Sequence, residues 1–126
     1  MRPILALAIA LAMAPTHAPA DTARGAAAPC VEVVTFRLVP GADAADFMNA
    51  ARATEIPLRD QPGFLRRRLV QGADGQWTDW VEWRDVAAAT AAAEAMMVAP
   101  AFGPFMALID PESVVMRHDA LTFAMD

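Results

Sequence analysis

The chain has 126 residues, is 56% hydrophobic, and sets 10 basic residues, all arginine, against 15 acids for a net charge of −5. That length suits one domain with a modest core. An acidic surface whose one cationic cluster is Arg66-Arg67-Arg68 argues against nucleic acid or anionic lipid as a partner. Cys30 is the single cysteine, which excludes an intrachain disulfide framework.

In chain order, Met1-Arg2, the apolar run 4–14 and the small-residue site Ala18-Pro19-Ala20 read as a signal peptide over residues 1–20. The run falls short of the roughly 20 residues that span a bilayer. The expected mature chain therefore starts at Asp21, is periplasmic or secreted, and has no membrane attachment after cleavage. Residues 21–30 read as a flexible Ala/Gly/Pro-rich leader, and 31–126 as the folded domain. Cys30, at that border, reads as a semi-buried thiol or as half of an intermolecular disulfide.

Residues 31–39 read as a central strand, with Val31, Val33 and Val39 on one face and Val34, Phe36 and Leu38 on the other. Pro40-Gly41 ends it. Asp43 is placed to cap a helix on which Phe47, Ala51, Thr54 and Leu58 recur at helical spacing, until Pro57 ends or kinks it. Two extended runs, 63–71 and 76–83, meet at Asp74-Gly75 as a hairpin. The second run carries Trp77, Trp80 and Trp83, all three tryptophans of the chain. Asp85 caps an alanine-rich helix from 86 to about 98, which can approach a sheet closely but fills little space beside it. Pro100, Gly103 and Pro104 break that helix. Phe102, Phe105, Met106 and Ile109 form a short helical piece, and a last strand runs from 113 to about 123.

The order β-α-β-β-α-β predicts an α+β, ferredoxin-like fold: a four-stranded antiparallel sheet with both helices on one face. The other face, bearing Val31, Val33 and Val39, calls for a cover. A second subunit would supply it, pairing two sheets into a dimeric α/β barrel.

Phosphate loops, dinucleotide fingerprints and nucleophile motifs are absent, and no cofactor is expected. The mature chain has one histidine, His118, and one distant cysteine, so no metal site is expected either. His118, in the last strand, suits general-base work near neutral pH; a surface or interface histidine is the plainer role. Trp80 and Glu82 share one strand face, whereas Trp77, Asp79, Val81 and Trp83 share the other. Parity alone does not say which face meets the helices. Were Glu32 and Glu82 both to point inward, an arginine from 66–68 would have to pair with them. The expected site places His118, Arg66 and Arg68 in catalytic roles. Phe36, Trp80, Glu82, Glu32 and Asn49 line its pocket, and Trp83 closes the core against the second helix.

Val39-Pro40-Gly41, Pro62-Gly63-Phe64 and Trp83-Arg84-Asp85 resemble the dimeric α/β-barrel superfamily, in particular its antibiotic-biosynthesis-monooxygenase-like group, over residues 31–123. The resemblance implies a substrate site between the sheet and helices of each subunit. The superfamily includes cofactor-free oxygenases of phenolic or quinone-type rings as well as haem-degrading enzymes. Members of the second kind carry a first-strand asparagine, a second-helix tryptophan and a following histidine. Phe36, Ala91 and the region of Ala101-Phe102 stand at those positions here, with no histidine between Arg84 and Arg117, so that chemistry is not expected.

The leading expectation is an exported homodimer that binds a small, largely apolar or aromatic molecule, its activity undefined. One alternative is a cofactor-independent monooxygenase of phenolic or quinol-type substrates, with His118 or a pocket carboxylate as base and Arg66 or Arg68 steadying the anion. The other is a non-catalytic structural or partner-binding dimer with a filled core. A cavity above about 300 Å³ holding a titratable group would separate the first two from the third.

Overall fold

The structure, a computed structural model, describes residues 28–126. The expected signal peptide and most of the leader lie outside the described residues. Strand β1 (Cys30–Phe36) leads to helix α1 (Ala44–Ala53) and the short α2 (Glu55–Arg59). The hairpin strands β2 (Phe64–Gln71) and β3 (Trp77–Trp83) follow. Then come α3 (Val86–Met97), the short α4 (Phe102–Ala107), a 3-10 turn (Pro111–Ser113) and β4 (Val115–Ala120). The sheet is antiparallel, in the order β2-β3-β1-β4, with the helices on one face, as the sequence predicts.

Local chemistry sets the boundaries. Asp43 caps α1 by accepting from the N–H groups of Ala45 at 2.7 Å and Asp46 at 3.2 Å. Pro57 has no N–H to offer the carbonyl of Ala53, and the helix breaks there, at Thr54, before resuming as α2 through the proline itself. Asp85 caps α3 through the Ala88 N–H at 2.7 Å. The hairpin loop spans 72–76 and closes with Gly72 N–H on Gln76 O at 2.7 Å, while Gly75 takes the left-handed conformation at φ +83°. Gly63, just before β2, lies close against α3: a Cβ there would lie 2.6 Å from that of Ala88.

Two expectations about β1 need correction. The strand begins at Cys30, which is buried with Val81, Trp83 and Ala88, so this residue belongs to the domain rather than to a leader. Burial, with Glu32 and Asp85 nearby, pushes its thiol pKa up. The strand also ends at Phe36, and Val39 leaves the sheet to donate to Leu108 O at 2.9 Å. On the face away from the helices, Val31 and Val33 are only 5% and 6% exposed in the single chain. Val33 sits in register between Trp80 and Arg117, and Val31 between Glu82 and Asp119. These two valines do not by themselves require a second subunit.

On the helix side the core forms two clusters. One joins Cys30, Val81 and Trp83 to the alanines of α3; the other joins Phe36, Phe47, Trp77, Phe105 and Ile109. Phe47 is the hub of the second. It is fully buried, with ring centroids 5.5 Å from Phe36, 4.8 Å from Trp77 and 5.4 Å from Phe105. Phe47→Ala removes all three ring contacts and leaves a cavity, and should lower the unfolding free energy by about 3–5 kcal/mol. Urea denaturation followed by tryptophan fluorescence checks it.

Candidate functional site

Between the sheet and the helices lies a cavity of about 370 Å³. Its apolar walls include Val34 and Phe36 of β1, Val81 and Trp83 of β3, Met96 of α3 and Phe105 of α4. The space follows from composition. Ala88, Ala89 and Ala92 let α3 sit close to Trp83, and Ala92 and Ala93 contribute little volume where they border the cavity. Five polar residues also line it: Glu32, Thr54, Arg67, Asp79 and Glu94.

Pairing register explains why they meet. Arg67, Val81, Glu32 and His118 form one row across all four strands, and Leu69, Asp79, Val34 and Met116 form the next. His118 Nε2 lies 2.9 Å from Glu32 Oε2. The Glu32 side chain is 14% exposed. Burial pushes its pKa above the usual carboxylate range; the hydrogen bond and charge of His118 pull back, and Asp79 pushes the same way as burial.

Arg67 forms a two-pronged ion pair with Asp79, Nε on Oδ1 at 2.9 Å and Nη2 on Oδ2 at 2.7 Å. Its Nη1 donates to Thr54 Oγ1 at 2.8 Å, and that hydroxyl donates to Ala51 O at 2.6 Å. The guanidinium carbon stands 5.5 Å from the centroid of the Phe105 ring. These bonds use three of the five guanidinium N–H groups, which leaves two for another acceptor. The indole N–H of Trp83 is buried and has no partner among the described residues. No group of three His, Cys, Asp or Glu side chains among those residues is arranged to hold a metal ion.

Of the residues expected at the site, Phe36 and Glu32 line the cavity and His118 is bonded to Glu32. Arg66, Arg68, Trp80 and Glu82 fall on the opposite face. Trp80 pairs with Val33 on one side and Arg68 on the other, while Arg66 Nε lies 3.2 Å from Glu82 Oε2. A register irregularity between Phe64 and Arg66 sets this parity and turns Arg67 inward instead. Glu32 and Glu82 therefore do not share an arginine, since they lie on opposite faces. Asn49 is exposed on α1, where it accepts from Arg52 at 3.5 Å. Sequence reasoning passed over Arg67, Asp79 and Thr54. The available signal was Asp79 itself, a carboxylate of the same strand parity as Trp77 and Trp83.

The fold is that of antibiotic-biosynthesis-monooxygenase-like proteins. SnoaB, a cofactor-independent oxygenase from Streptomyces nogalater, superposes with a TM-score of 0.55 at 22% identity, over 79% of this chain and 97% of its own. Rv0793 from Mycobacterium tuberculosis does so with a TM-score of 0.59 at 19% identity, over 78% and 99%. A Bordetella bronchiseptica protein assigned by name to the antibiotic biosynthesis monooxygenases gives a TM-score of 0.64 at 16% identity, over 76% and 99%. No family model matches the chain, and no curated protein matches it in sequence.

The buried ion pair yields a stability prediction. Arg67→Met strands the Asp79 carboxylate and should cost about 3–5 kcal/mol, whereas Arg67→Met combined with Asp79→Leu should recover most of that loss. Urea unfolding of the two variants beside the wild type checks the difference.

Proposed function

We propose that this chain is a cofactor-independent oxygenase that takes a flat, electron-rich phenol or hydroquinone into the cavity. The observation that supports it is the Glu32–His118 pair, set against a largely apolar, aromatic-lined space. A volume of about 370 Å³ lies in the range of small-molecule sites. The fold shared with SnoaB, itself a cofactor-independent oxygenase, adds to the case.

In this reading the Glu32 carboxylate removes a proton from the bound ring system, and His118 orients it through the other side of the hydrogen bond. A carboxyl group pushed above its usual range is a stronger base than a solvated one. Arg67 lines the same cavity, and its two unused N–H groups are the donors assigned to the developing oxyanion. The carbanion gives its electrons to molecular oxygen, a carbon–oxygen bond forms, and the peroxide takes a proton back from Glu32. Loss of water then leaves a carbonyl. For an anthrone-like substrate, a ring CH₂ and O₂ become C=O and H₂O, so one oxygen atom enters the product and the other leaves as water.

Oxygen uptake with anthrone and a panel of naphthohydroquinones tests this. Glu32→Gln should lower kcat by about 10²–10⁴-fold, the range expected on loss of a general base. A wild-type protein that consumes no oxygen with the panel, or a Glu32→Gln variant as active as wild type, overturns the proposal. The pH profile carries a second signature. The rate should rise as Glu32 ionises, with its limb above the usual carboxylate range, and His118→Asn should move that limb higher by removing the partner that lowers it. Stability runs the other way. With the folded-state pKa raised, the native state holds more protons than the unfolded one between the two values, so this group's contribution falls as pH rises through that window.

The same reading takes the protein to be exported, on the strength of residues 1–20, and homodimeric through the sheet face away from the helices. Val70 and Val115 on that face are 54% and 60% exposed, and a second copy would cover them. Light scattering at micromolar concentration should give twice the mass of the mature chain; a folded monomer counts against the dimer.

A further inference from the structure

The lining of the cavity divides by exposure. Phe36, Trp83, Met96 and Phe105 are buried and form its inner wall, whereas Met97, Met106, Val114 and Met116 border the same space from positions open to solvent. A side chain that borders a cavity and still meets water stands at its mouth. The mouth therefore lies on the helix side of the sheet, between the end of α3 (Met97), α4 (Met106) and the outer strand β4 with the turn before it (Met116, Val114). Met116 faces that way because it shares a row with Val34 and Asp79, and it remains 54% exposed; Met97 is 68% exposed. Single apolar side chains on a surface are ordinary, but four large ones drawn from separate parts of the chain around one opening form a patch. A second subunit on the other face of the sheet, where Val70 and Val115 lie, would not cover it. The one charged side chain among the exposed lining residues is an acid, Glu94.

We infer that the ligand is a ring bearing an uncharged hydrocarbon chain, with the ring in the cavity and the chain lying out over Met97, Met106, Val114 and Met116. A bare ring occupies the inner space and leaves the mouth in water; a chain several carbons long covers it. Methionine suits this task, being unbranched and polarisable and so able to follow a chain of irregular shape. Glu94 and the net charge of −5 oppose a chain that ends in a carboxylate or a phosphate. That the chain-bearing ring is a hydroquinone substrate rests on the proposed oxygenase; the apolar mouth as a chain-binding surface does not.

The test compares 2-methyl- and 2-butyl-1,4-naphthoquinone, oxidised rings that bind without turnover, by their quenching of tryptophan fluorescence in the whole protein. A fully buried methylene is worth about fourfold in affinity and one on a half-covered rim about twofold, so the butyl compound should bind about tenfold more tightly than the methyl one. Met97→Gln with Met116→Gln, both at exposed positions, should reduce that butyl advantage to about twofold or less, and Met97→Gln alone should reduce it in part. Ile56→Gln, at a residue exposed on α2 and outside the cavity lining, should keep the full advantage. Equal affinity for the two quinones, no measurable binding of either, or an undiminished butyl advantage in the double methionine variant overturns the inference. So does loss of the advantage in Ile56→Gln, which would put the chain elsewhere on the surface. A wild type that favours the butyl compound as described yet consumes no oxygen with any quinol sinks the oxygenase and leaves the chain-binding mouth standing. Oxygen uptake with anthrone beside equal binding of the two quinones does the reverse.

Discussion

The constraint on which the rest of the helix side depends is the ion pair of Arg67 and Asp79 beneath the helices. Removing two charges from water costs several kcal/mol each, and only good geometry with further hydrogen bonds offsets it. Here the geometry is a two-pronged match, Thr54 accepts a third N–H, and the face of Phe105 lies 5.5 Å from the guanidinium carbon. Thr54 sits at the junction of α1 and α2. The break at Thr54 between α1 and α2 puts a buried hydroxyl where a continuous helix would carry on its ladder. A backbone defect written into the sequence thus serves a side-chain network two elements away.

That network also decides where the empty space is. The two apolar clusters stand at opposite ends of the helix-side face, Trp83 with the alanines at one and Phe47 with its aromatic neighbours at the other. The row of Arg67, Val81, Glu32 and His118 and the row containing Asp79 cross the sheet beside the cavity. The alanines of α3 that border the cavity, Ala92 and Ala93, are too short to fill it. Close helix packing at Gly63–Ala88 and a void further along are two results of the same alanine-rich sequence.

Much of the fold was legible because its signals are local. Asp43 and Asp85 announce their helices by capping, and Asp74-Gly75 announces the hairpin. The alternation in β1 assigns Val34 and Phe36 to one side and Val31 and Val33 to the other. The candidate site was legible only in part. Glu32, Phe36 and His118 belong to strands whose parity is regular, so reading one residue places the rest. Arg66, Arg68, Trp80 and Glu82 depended on the parity of the hairpin relative to the helices, which the irregularity between Phe64 and Arg66 settles. A one-residue displacement in an edge strand carries no mark in a run of three arginines, and it exchanges every inward residue for its neighbour.

The two faces of the sheet then offer a comparison of like with like. Glu32 and Glu82 are both largely buried, both on inner strands, and each is bound to one basic side chain. Arg66, the partner of Glu82, is a permanent cation with no proton to give up in the working pH range. His118, the partner of Glu32, carries charge only when protonated. A carboxylate clamped by arginine is held as a fixed anion; one paired with histidine can exchange a proton with its surroundings at modest cost. Of the two, only Glu32 borders an apolar cavity of ligand size. The chain therefore puts its arginine-paired glutamate on the face without the cavity and its histidine-paired glutamate beside the space where a ligand fits, the placement on which the proposed base catalysis rests.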